Sequence, residues 1–497
     1  MSKRKAGDVK RVEELDVKER IKAKYENKEI SQTKALIDLV YASAEEFFKT
    51  DLGIVATITI NGIQRNVLLE EPLFKQWMIN EYYQHFHDSP RSSAVKEAHA
   101  TLQSIEEINN VIWKEIFIRV AHDDEGKVYV DSGNEAFDVI EVSKTGWQIV
   151  KGAPVKFIRS KTMRSLPSPQ PRGELDELKQ IFQFKEDQFI LWLAFVIGCF
   201  NPRGPYPLLV LNGAQGAGKT IVSEITKSVI DPGYATLRTL PESEEDLLVM
   251  AQKNWLLAFD NISKISEHMS DALCKLSTGG GLSRRQLYTN DEESVLKAMK
   301  PVILNGIENI TKRYDLADRS IVLTLPMIMS ENRRTKEEIW RDFEKIKGPI
   351  MGLIYDAVSM ALKNYNMIHL PQKPRMADFA KWITAAEPAL GFDHGTFLTA
   401  FNNNRRLVAE EASEYDWLLS AVIEMMKKHD CVSAPASEML KLLRKTISAQ
   451  EILGDEWISA YKLKSAITRI EGALLENKIK YEYIRTRDAR LHTFTKL

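Results

Sequence analysis

The eight-residue stretch GAQGAGKT, at positions 213–220, constrains the fold of this chain more than any other feature. It fits the spacing Gly-x4-Gly-Lys-[Ser/Thr] without a gap, follows the apolar run PLLVLNG and precedes the amphipathic run TIVSEITKSVI. Its glycines allow the backbone to curl so that successive N–H groups point at an anion, and the helix that follows adds partial positive charge. The pattern predicts a strand–loop–helix unit that binds phosphate.

The residue types in this loop also predict its ligand. Lys219 is expected to reach the β- and γ-phosphates, and the Thr220 hydroxyl is expected to coordinate Mg²⁺, so ATP and Mg²⁺ are the predicted cofactors. A chance glycine-rich turn is disfavoured by the strand and helix patterns on either side. The predicted cofactor-binding positions are Gly213, Ala214, Gln215, Gly216, Ala217, Gly218, Lys219 and Thr220.

A carboxylate follows the next apolar run. NWLLAFDNIS places Asp260 at the end of a short strand, where it is expected to orient the magnesium shell. The next residue is Asn261, which cannot accept a proton from an attacking water. Hydrolysis is therefore expected to be slow, unless Asn261 orients the water or Glu267 or Asp271 replaces the missing acid.

Two more polar residues complete the predicted catalytic set of Lys219, Asp260, Asn305 and Arg319. Asn305, in KPVILNG, is expected to hydrogen-bond the γ-phosphate or its attacking water; the alternative is a strand-ending turn residue. Arg319, in YDLADRSIVL, is expected to reach the γ-phosphate of a neighbouring subunit. The alternatives are a salt bridge from Arg319 to Asp315 or Asp318, and Arg313 as the arginine with this role.

These motifs, in this order, resemble a known family. GAQGAGKT, LLAFDN, PVILNG and DLADRSIVL are similar to AAA+ ATPases of superfamily 3 and to the related minichromosome-maintenance (MCM) helicases. SDALCKLSTGGGLSRRQLYTNDEE resembles ATPases of prophages and other bacterial mobile elements. The resemblance is specific over 175–330 and looser over 31–165 and 331–497. It implies an α/β fold: an AAA+ P-loop core of parallel sheet flanked by helices, with a helical lid, an N-terminal α+β module and a C-terminal winged helix.

The resemblance also implies roles outside the phosphate loop. RRQLYTNDEESVLKAM is similar to a DNA-gripping hairpin with its turn at Asn290-Asp291, and its expected phosphate contacts are Arg284, Arg285 and Lys297. The acidic tip, residues 291–293, would repel a phosphate, so a structural or subunit-packing hairpin remains open. PRMADFAKWITAAEPAL resembles a lid helix, which places Arg375 over the nucleotide; a surface arginine is the alternative.

The sequence patterns, together with what the resemblance implies, divide the chain into five segments. These are a charged tail (1–30), an α+β module (31–165), the ATPase core (166–330), a helical lid (331–415) and a winged helix-turn-helix (416–497), with SLPSPQPRGEL as a linker. In the α+β module, ALIDLVYASAEEFF has helical spacing and IVATITINGIQRNVLL predicts a hairpin turning at Asn61-Gly62. KEIFIRVA and KVYVDSG predict a second strand pair, with HDDEG as a polar turn rather than a metal loop.

The C-terminal segment reads as three helices followed by a basic hairpin, the order of a winged helix-turn-helix. Its expected DNA contacts are Lys462, Lys464 and Arg469 on the third helix and Arg485, Arg487 and Arg490 on the hairpin. A solvated basic face and a protein-docking unit are the alternatives.

The overall charge of the chain is too close to zero to attract a polyanion such as DNA. The chain has 68 basic and 69 acidic residues, so any nucleic-acid surface must be a local patch. The three cysteines form no CxxC, the first residues resemble no secretory signal, and FILWLAFVIGCF is too short to span a bilayer. The expected location is cytoplasmic, without a membrane partner.

Together these features predict an oligomeric Mg-ATP-dependent DNA helicase or replication-initiation motor of a mobile element. The expected partners are DNA, single-stranded in particular, and further copies of the chain in a ring, of six subunits by resemblance. The alternative is an ATP-dependent assembly switch or helicase loader, which hydrolyses ATP slowly and does not separate DNA strands. A role in defence belongs to this alternative. A small-molecule kinase is disfavoured, because it would not need Asn305, Arg319 and a winged helix in series.

Overall fold

The computed structural model describes residues 17–109, 112–171, 173–182, 184–285, 293–306, 310, 313–328, 333–415, 417–446, 460–461, 463–485 and 490–497. Side chains are outside this description at 281–285, 293–297, 314, 409–415, 417, 465, 469, 472 and 476. The fold is mixed α/β, with parallel and antiparallel sheets. The chain folds into two compact units. The first consists of residues 1–125, 129–141 and 149–161, and the second consists of residues 126–128, 142–148 and 162–497.

The helices are α1 (17–26), α2 (Gln32–Ser43), α3 (Pro72–Phe86), α4 (Ser92–Ile108), α5 (Leu175–Ile181), α6 (Glu186–Gly198), α7 (Lys219–Ile230), α8 (Glu244–Ala251), α9 (Glu267–Thr278), α10 (Tyr314–Ala317), α11 (Lys336–Asn364), α12 (Ala377–Ala386), α13 (Thr396–Tyr415), α14 (Trp417–Lys428), α15 (Ala436–Thr446) and α16 (Leu463–Glu476). Short 3-10 turns occupy Tyr365–Met367 and Glu387–Leu390.

The strands are β1 (Glu46–Thr50), β2 (Gly53–Ile60), β3 (Ile63–Leu68), β4 (Ile116–Phe117), β5 (Val120–His122), β6 (Val128–Asp131), β7 (Asp138–Ser143), β8 (Gly146–Lys151), β9 (Lys156–Phe157), β10 (Leu208–Asn212), β11 (Leu257–Ile262), β12 (Gly281–Arg285), β13 (Glu293–Lys297), β14 (Val302–Gly306), β15 (Ser320–Thr324), β16 (Cys431–Pro435), β17 (Ile479–Arg485) and β18 (Arg490–Lys496).

The first unit is built on the antiparallel sheet β1-β2-β3, one face of which packs against α2, α3 and α4. The hairpin turn at Asn61-Gly62 is confirmed, and both residues have positive φ, as a two-residue hairpin loop requires. The single helix expected over ALIDLVYASAEEFF is wrong: α2 ends at Ser43, and Phe48 is fully buried in β1, which pairs with β2. Residues 123–127 turn between β5 and β6, as expected for HDDEG.

The centre of the second unit is the parallel sheet β11-β14-β10-β15. One face packs its apolar side chains against α8 and α9, while α6 and α7 contact strands β15 and β14. The apolar run that begins at Phe189 lies in α6, and every residue from Phe189 to Gly198 is buried. No helix in the described ranges has the length and apolar character needed to cross a bilayer.

The segment expected to be a linker, residues 165–175, is packed against α11. The Gln170 N–H donates to the Gly348 carbonyl at 2.9 Å. A Cβ atom on Gly352 would lie 1.9 Å from the Gln170 carbonyl oxygen, so this contact requires glycine. The Pro- and Ser-rich segment is therefore an extended stretch of chain that packs on α11, rather than a flexible linker.

The C-terminal segment contains the three expected helices, α14, α15 and α16, and the expected hairpin of β17 and β18. Strand β16, which was not expected, pairs with β18 and gives the sheet order β16-β18-β17. The helices and the sheet share one apolar core, with Leu419, Leu443, Ile467, Leu474 and Phe494 fully buried. The assignment as a winged helix-turn-helix remains a prediction.

Candidate functional site

Three of the predicted site elements, the glycine-rich loop, Asp260 and Asn305, lie at one edge of the parallel sheet because each is at or near the carboxyl end of a parallel strand. Leu211 of β10 is paired with Asn305 of β14, and Leu304 is paired with Phe259 of β11, one residue before Asp260. The glycine-rich loop leaves β10 at the same edge. Parallel pairing thus brings together three segments that are far apart in the sequence.

The glycine-rich loop needs its glycines for two different reasons. Gly216 has φ +82°, the left-handed region that side chains disfavour. Gly213 is also restricted by space, because a Cβ atom there would lie 2.7 Å from the Leu325 carbonyl oxygen. The loop ends at α7, whose amino end is directed into the site and favours an anion.

The Lys219 ammonium lies inside this loop. Its Nζ donates to the carbonyl oxygens of Gly213 at 2.7 Å and Ala214 at 2.9 Å. Burial lowers the pKa of Lys219, and the nearby Asp260 carboxylate opposes that shift. The ammonium thus occupies the loop that a phosphate would enter, and within the described ranges its hydrogen-bond acceptors are these two carbonyls.

The predicted metal ligands are adjacent. Thr220 Oγ1 donates to Asp260 Oδ2 at 3.1 Å. A hydroxyl and a carboxylate are oxygen ligands of the kind Mg²⁺ accepts, and Mg²⁺ characteristically takes its remaining ligands from waters and substrate phosphates. The residues present therefore fit a magnesium ion held jointly with a nucleotide.

Asn305 is fully buried, and its amide has no hydrogen-bond partner among the described residues. This holds for both its Oδ1 and its Nδ2. An unsatisfied buried polar group costs roughly 1–3 kcal/mol, so this amide calls for a partner, either an ordered water or a bound ligand. Asn305 borders the same cavity as the glycine-rich loop.

Asn305→Ala is expected to leave the free energy of unfolding of the ligand-free protein within about 0.5 kcal/mol, because the amide has no protein hydrogen bond to lose. ATP hydrolysis is expected to fall about 100-fold, as when an aligned transition-state donor is removed. Denaturant unfolding and steady-state turnover measure the two effects.

Asn254→Ala is the matched control for Asn305→Ala, since its Nδ2 donates to the Met250 carbonyl at 2.8 Å outside the cavity. It should cost about 1 kcal/mol of stability and leave turnover unchanged. A large loss of stability in Asn305→Ala with normal turnover would contradict the functional role.

A cavity of about 650 Å³ joins these groups. Its polar lining comes from the glycine-rich loop, Asp260 and Asn305. Its apolar lining includes Phe182 and Phe184, whose rings stack at 4.9 Å and 12°. The other apolar side chains that border the cavity include Ile181, Ile328 and Ile339.

Arg333 and the two phenylalanines were missed by sequence reasoning. Arg333 Nη2 lies 3.5 Å from the position of a Cβ atom on Gly216, so its guanidinium covers the glycine-rich loop of its own chain. Its Nε donates to the Ile328 carbonyl at 3.2 Å. A capping box of Thr335 and Glu338 marks the start of α11 in the sequence, but only the folded chain shows which loop the preceding arginine covers.

The cavity includes Asn261 but neither of the acids expected to replace the missing one. Asn261 has φ +57°, and its N–H donates to Asp260 Oδ1 at 2.7 Å. Asp271 Oδ1 instead accepts from Arg313 Nη2 at 3.1 Å, and the Glu267 carbonyl accepts from Arg313 Nη1 at 3.0 Å. Besides Asp260, the carboxylate that borders the cavity is Glu224, which is ion-paired with Lys336.

Arg319 lies at the opposite edge of the sheet. Its carbonyl accepts from the N–H of Leu208, the first residue of β10, whereas Gly213 follows the last residue. Its Nη1 donates to the Asp315 carbonyl at 2.7 Å, and the side chain as a whole is half-exposed. Its Nε is buried and has no hydrogen-bond partner among the residues that the structure describes. No carboxylate in the described part of the chain pairs with Arg319, so the salt-bridge alternative is wrong.

Arg375 does not border the cavity of its own chain, and its position over a nucleotide stays a prediction. Its Nη1 donates to Asp318 Oδ2 at 3.0 Å, and Arg405 Nη2 donates to Asp318 Oδ1 at 2.6 Å. Asp318 directly precedes Arg319. Arg375, two residues before α12, thus lies at the edge where Arg319 lies, which sequence spacing could not indicate.

The predicted DNA contacts are only partly within the described residues. Arg284, Arg285 and Lys297 lie on the antiparallel pair β12–β13, which confirms two strands here, while the turn at 290–291 and these side chains are outside the description. Lys464, Arg485 and Arg490 are exposed. Lys462, Arg487 and the Arg469 side chain lie outside the described residues.

Comparison with known proteins connects this site with replication. Residues 175–405 match the family model described as "Actinomycete integrative conjugative element replication protein". This range includes the glycine-rich loop, Asp260, Asn305 and Arg319, and the match supports a mobile-element replication protein. No curated protein sequence matches the chain.

Similar solved structures include two of the apo C-terminal region of NrS-1. One is 11% identical, covers 93% of this chain and 99% of that chain, and has a TM-score of 0.39. Another is 11% identical, with 93% and 98% coverage and a TM-score of 0.37.

Proposed function

We propose that the chain is an oligomeric, Mg-ATP-dependent motor that acts on DNA when a mobile element starts its replication. The observation that carries this proposal is the Asn305 amide, buried and unpartnered beside a glycine-rich loop and a Thr220–Asp260 pair. The family-model match over 175–405 supports the replication setting.

The lining of the cavity suits both the phosphates and the base of a nucleoside triphosphate. The loop amides, Lys219 and Arg333 supply donors and positive charge for the phosphates, and Lys219 exchanges its carbonyl partners for phosphate oxygens. Mg²⁺, held by Thr220 and Asp260, would neutralise charge on the β- and γ-phosphates. The apolar part of the lining, which includes Phe182 and Phe184, suits a base.

Arg319 supports catalysis between subunits. β10 has five residues, so Arg319 and the loop lie roughly 13 Å or more apart at the strand's typical rise. An arginine at that edge reaches a γ-phosphate only in a neighbouring copy, as in a ring or filament. Arg375 and Arg405, both held on Asp318, lie beside it at the proposed subunit boundary.

DNA contact is proposed for the strand pair β12–β13 and for the C-terminal segment. The exposed Lys464, Arg485 and Arg490 give the C-terminal segment the local positive charge that the whole chain lacks. Three helices followed by a sheet support a winged helix-turn-helix there.

The second candidate function is an assembly switch or helicase loader with weak hydrolysis. It is favoured by Asn261 in the cavity, where an acid would activate water, and by the pairing of Glu224 with Lys336. An amide does not take up a proton from water, and the Glu224 carboxylate is held by Lys336. Such a protein would bind ATP to assemble without separating strands.

ATP turnover with and without single-stranded DNA, together with displacement of a labelled strand, tests these proposals. The motor predicts turnover that DNA stimulates and ATP-dependent displacement. The switch predicts ATP-dependent assembly with little turnover and no displacement. A protein that binds no ATP would contradict both.

A further inference from the structure

Two arginines of the first unit lie against one aromatic ring. The ring is Phe137, in the loop between β6 and β7. The Arg159 Cζ lies 3.5 Å from the ring centroid, and the Arg65 Cζ lies 4.8 Å from it. Arg65 comes from β3 and Arg159 follows β9, so three separate segments meet here.

The loop that carries Phe137 is held in a fixed shape. The Gly133 N–H donates to Asp131 Oδ1 at 3.0 Å, and Asn134 Nδ2 donates to Asp138 Oδ2 at 2.8 Å. Phe137 itself has φ +55°, a conformation that is rare for a bulky residue and that persists only where the surroundings enforce it. The ring is therefore a rigid platform for the two guanidinium groups.

The two arginines differ in how their charge is compensated. Arg159 pairs with both carboxylate oxygens of Asp131 and also donates to the Asn134 carbonyl. Arg65 is partly buried, its Nε has no hydrogen-bond partner, and no carboxylate in the described ranges pairs with it. Burial, followed by the charge of Arg159, lowers the pKa of Arg65.

The acidic groups around the loop do not compensate Arg65. Asp138 pairs with Lys151. Glu135 is exposed and forms no ion pair with either arginine in the described part of the chain. Water and salt screen the charge of a half-buried guanidinium poorly. An anion that binds between such a group and a second cation therefore gains a large electrostatic stabilisation.

We propose that Arg65, with Arg159 and Phe137, forms a binding site for a phosphate group, with the backbone of single-stranded DNA as its source. A planar guanidinium fork matches phosphate oxygens, and the Phe137 ring holds the Arg65 and Arg159 guanidinium groups side by side for such a contact. This site gives the first unit a role in binding DNA that does not depend on ATP.

The test uses the full chain, without nucleotide, and a labelled single-stranded oligonucleotide in fluorescence anisotropy at several salt concentrations. Arg65→Gln is expected to weaken binding about tenfold and to reduce the slope of log affinity against log salt by about 0.7, since one phosphate contact is lost. Arg91→Gln removes an exposed arginine of the same unit and is the matched control, with no change expected.

Thermal unfolding completes the test. Arg65→Gln should be at least as stable as the wild type, because it removes a charge that faces Arg159. If inorganic phosphate stabilises the wild type but not Arg65→Gln, while DNA affinity is equal, the site takes free phosphate rather than DNA. Wild-type behaviour of Arg65→Gln towards both ligands would overturn the proposal, and loss of ATP hydrolysis alone would not affect it.

Discussion

Arg319→Ala is expected to lower the turnover number for ATP hydrolysis by about 1000-fold or more, the range found when an arginine that stabilises phosphoryl transfer is removed. ATP affinity should change little, because Arg319 lies at the sheet edge opposite the cavity of its own chain. Steady-state turnover and titration with a fluorescent ATP analogue measure the two quantities separately.

Arg313→Ala is the control, because Arg313 is the alternative candidate for the arginine that reaches the γ-phosphate of a neighbouring subunit. Arg313 is ion-paired with Asp271 and Asp315, so its loss should lower thermal stability and change turnover less than tenfold. If Arg313→Ala abolishes turnover and Arg319→Ala does not, the assignment to Arg319 is wrong.

Mixing two inactive variants shows where Arg319 acts. Subunits with Lys219→Ala still carry Arg319, and subunits with Arg319→Ala still carry Lys219. In a random equal mixture, about a quarter of the interfaces would combine the two intact residues, so activity should partly return. No recovery under conditions where the subunits exchange would contradict catalysis between subunits.

Lys219→Ala is expected to reduce ATP hydrolysis about 1000-fold and to weaken ATP binding at least tenfold, because the loop loses its buried cation. The carbonyl oxygens of Gly213 and Ala214 lose a donor, which costs about 1–2 kcal/mol of stability. Isothermal titration with ATP and a turnover assay measure the effect.

Lys253→Ala removes an exposed lysine of the same unit and serves as the control for Lys219→Ala. It should match the wild type in ATP binding and turnover. An unfolded Lys219→Ala protein would be recognised by its melting curve. Normal turnover in a folded Lys219→Ala protein would show that the cavity is not the site of hydrolysis.

The strand–loop–helix around positions 213–220 was predictable because its causes are local. The apolar run, the glycines and the amphipathic helix are adjacent in the sequence, so each supports the others. The hairpin at Asn61-Gly62 was predictable for the same reason. Local patterns failed at residues 45–48, where helical spacing gave way to a strand because pairing with β2 buries Phe48.

The site was predictable where its residues end strands and unpredictable where they reach across the fold. Asp260 and Asn305 follow apolar runs, and parallel pairing aligns such positions at one edge. Arg375 also lies in a recognisable motif, but the packing of α12 directs it to Asp318 instead of the cavity. A motif fixes a residue's place in its own helix, but not the neighbours of that helix.

The sequence by itself determined the phosphate-binding loop, the order of the polar strand ends and the lack of an overall charge that would attract DNA. Only the tertiary structure decided that Arg333 covers the loop, that Gln170 lies on Gly352 and that Arg65 meets Arg159 over Phe137. The physical reason is range: glycine conformation and helix periodicity act over a few residues. Contacts between distant segments depend on how every intervening element packs.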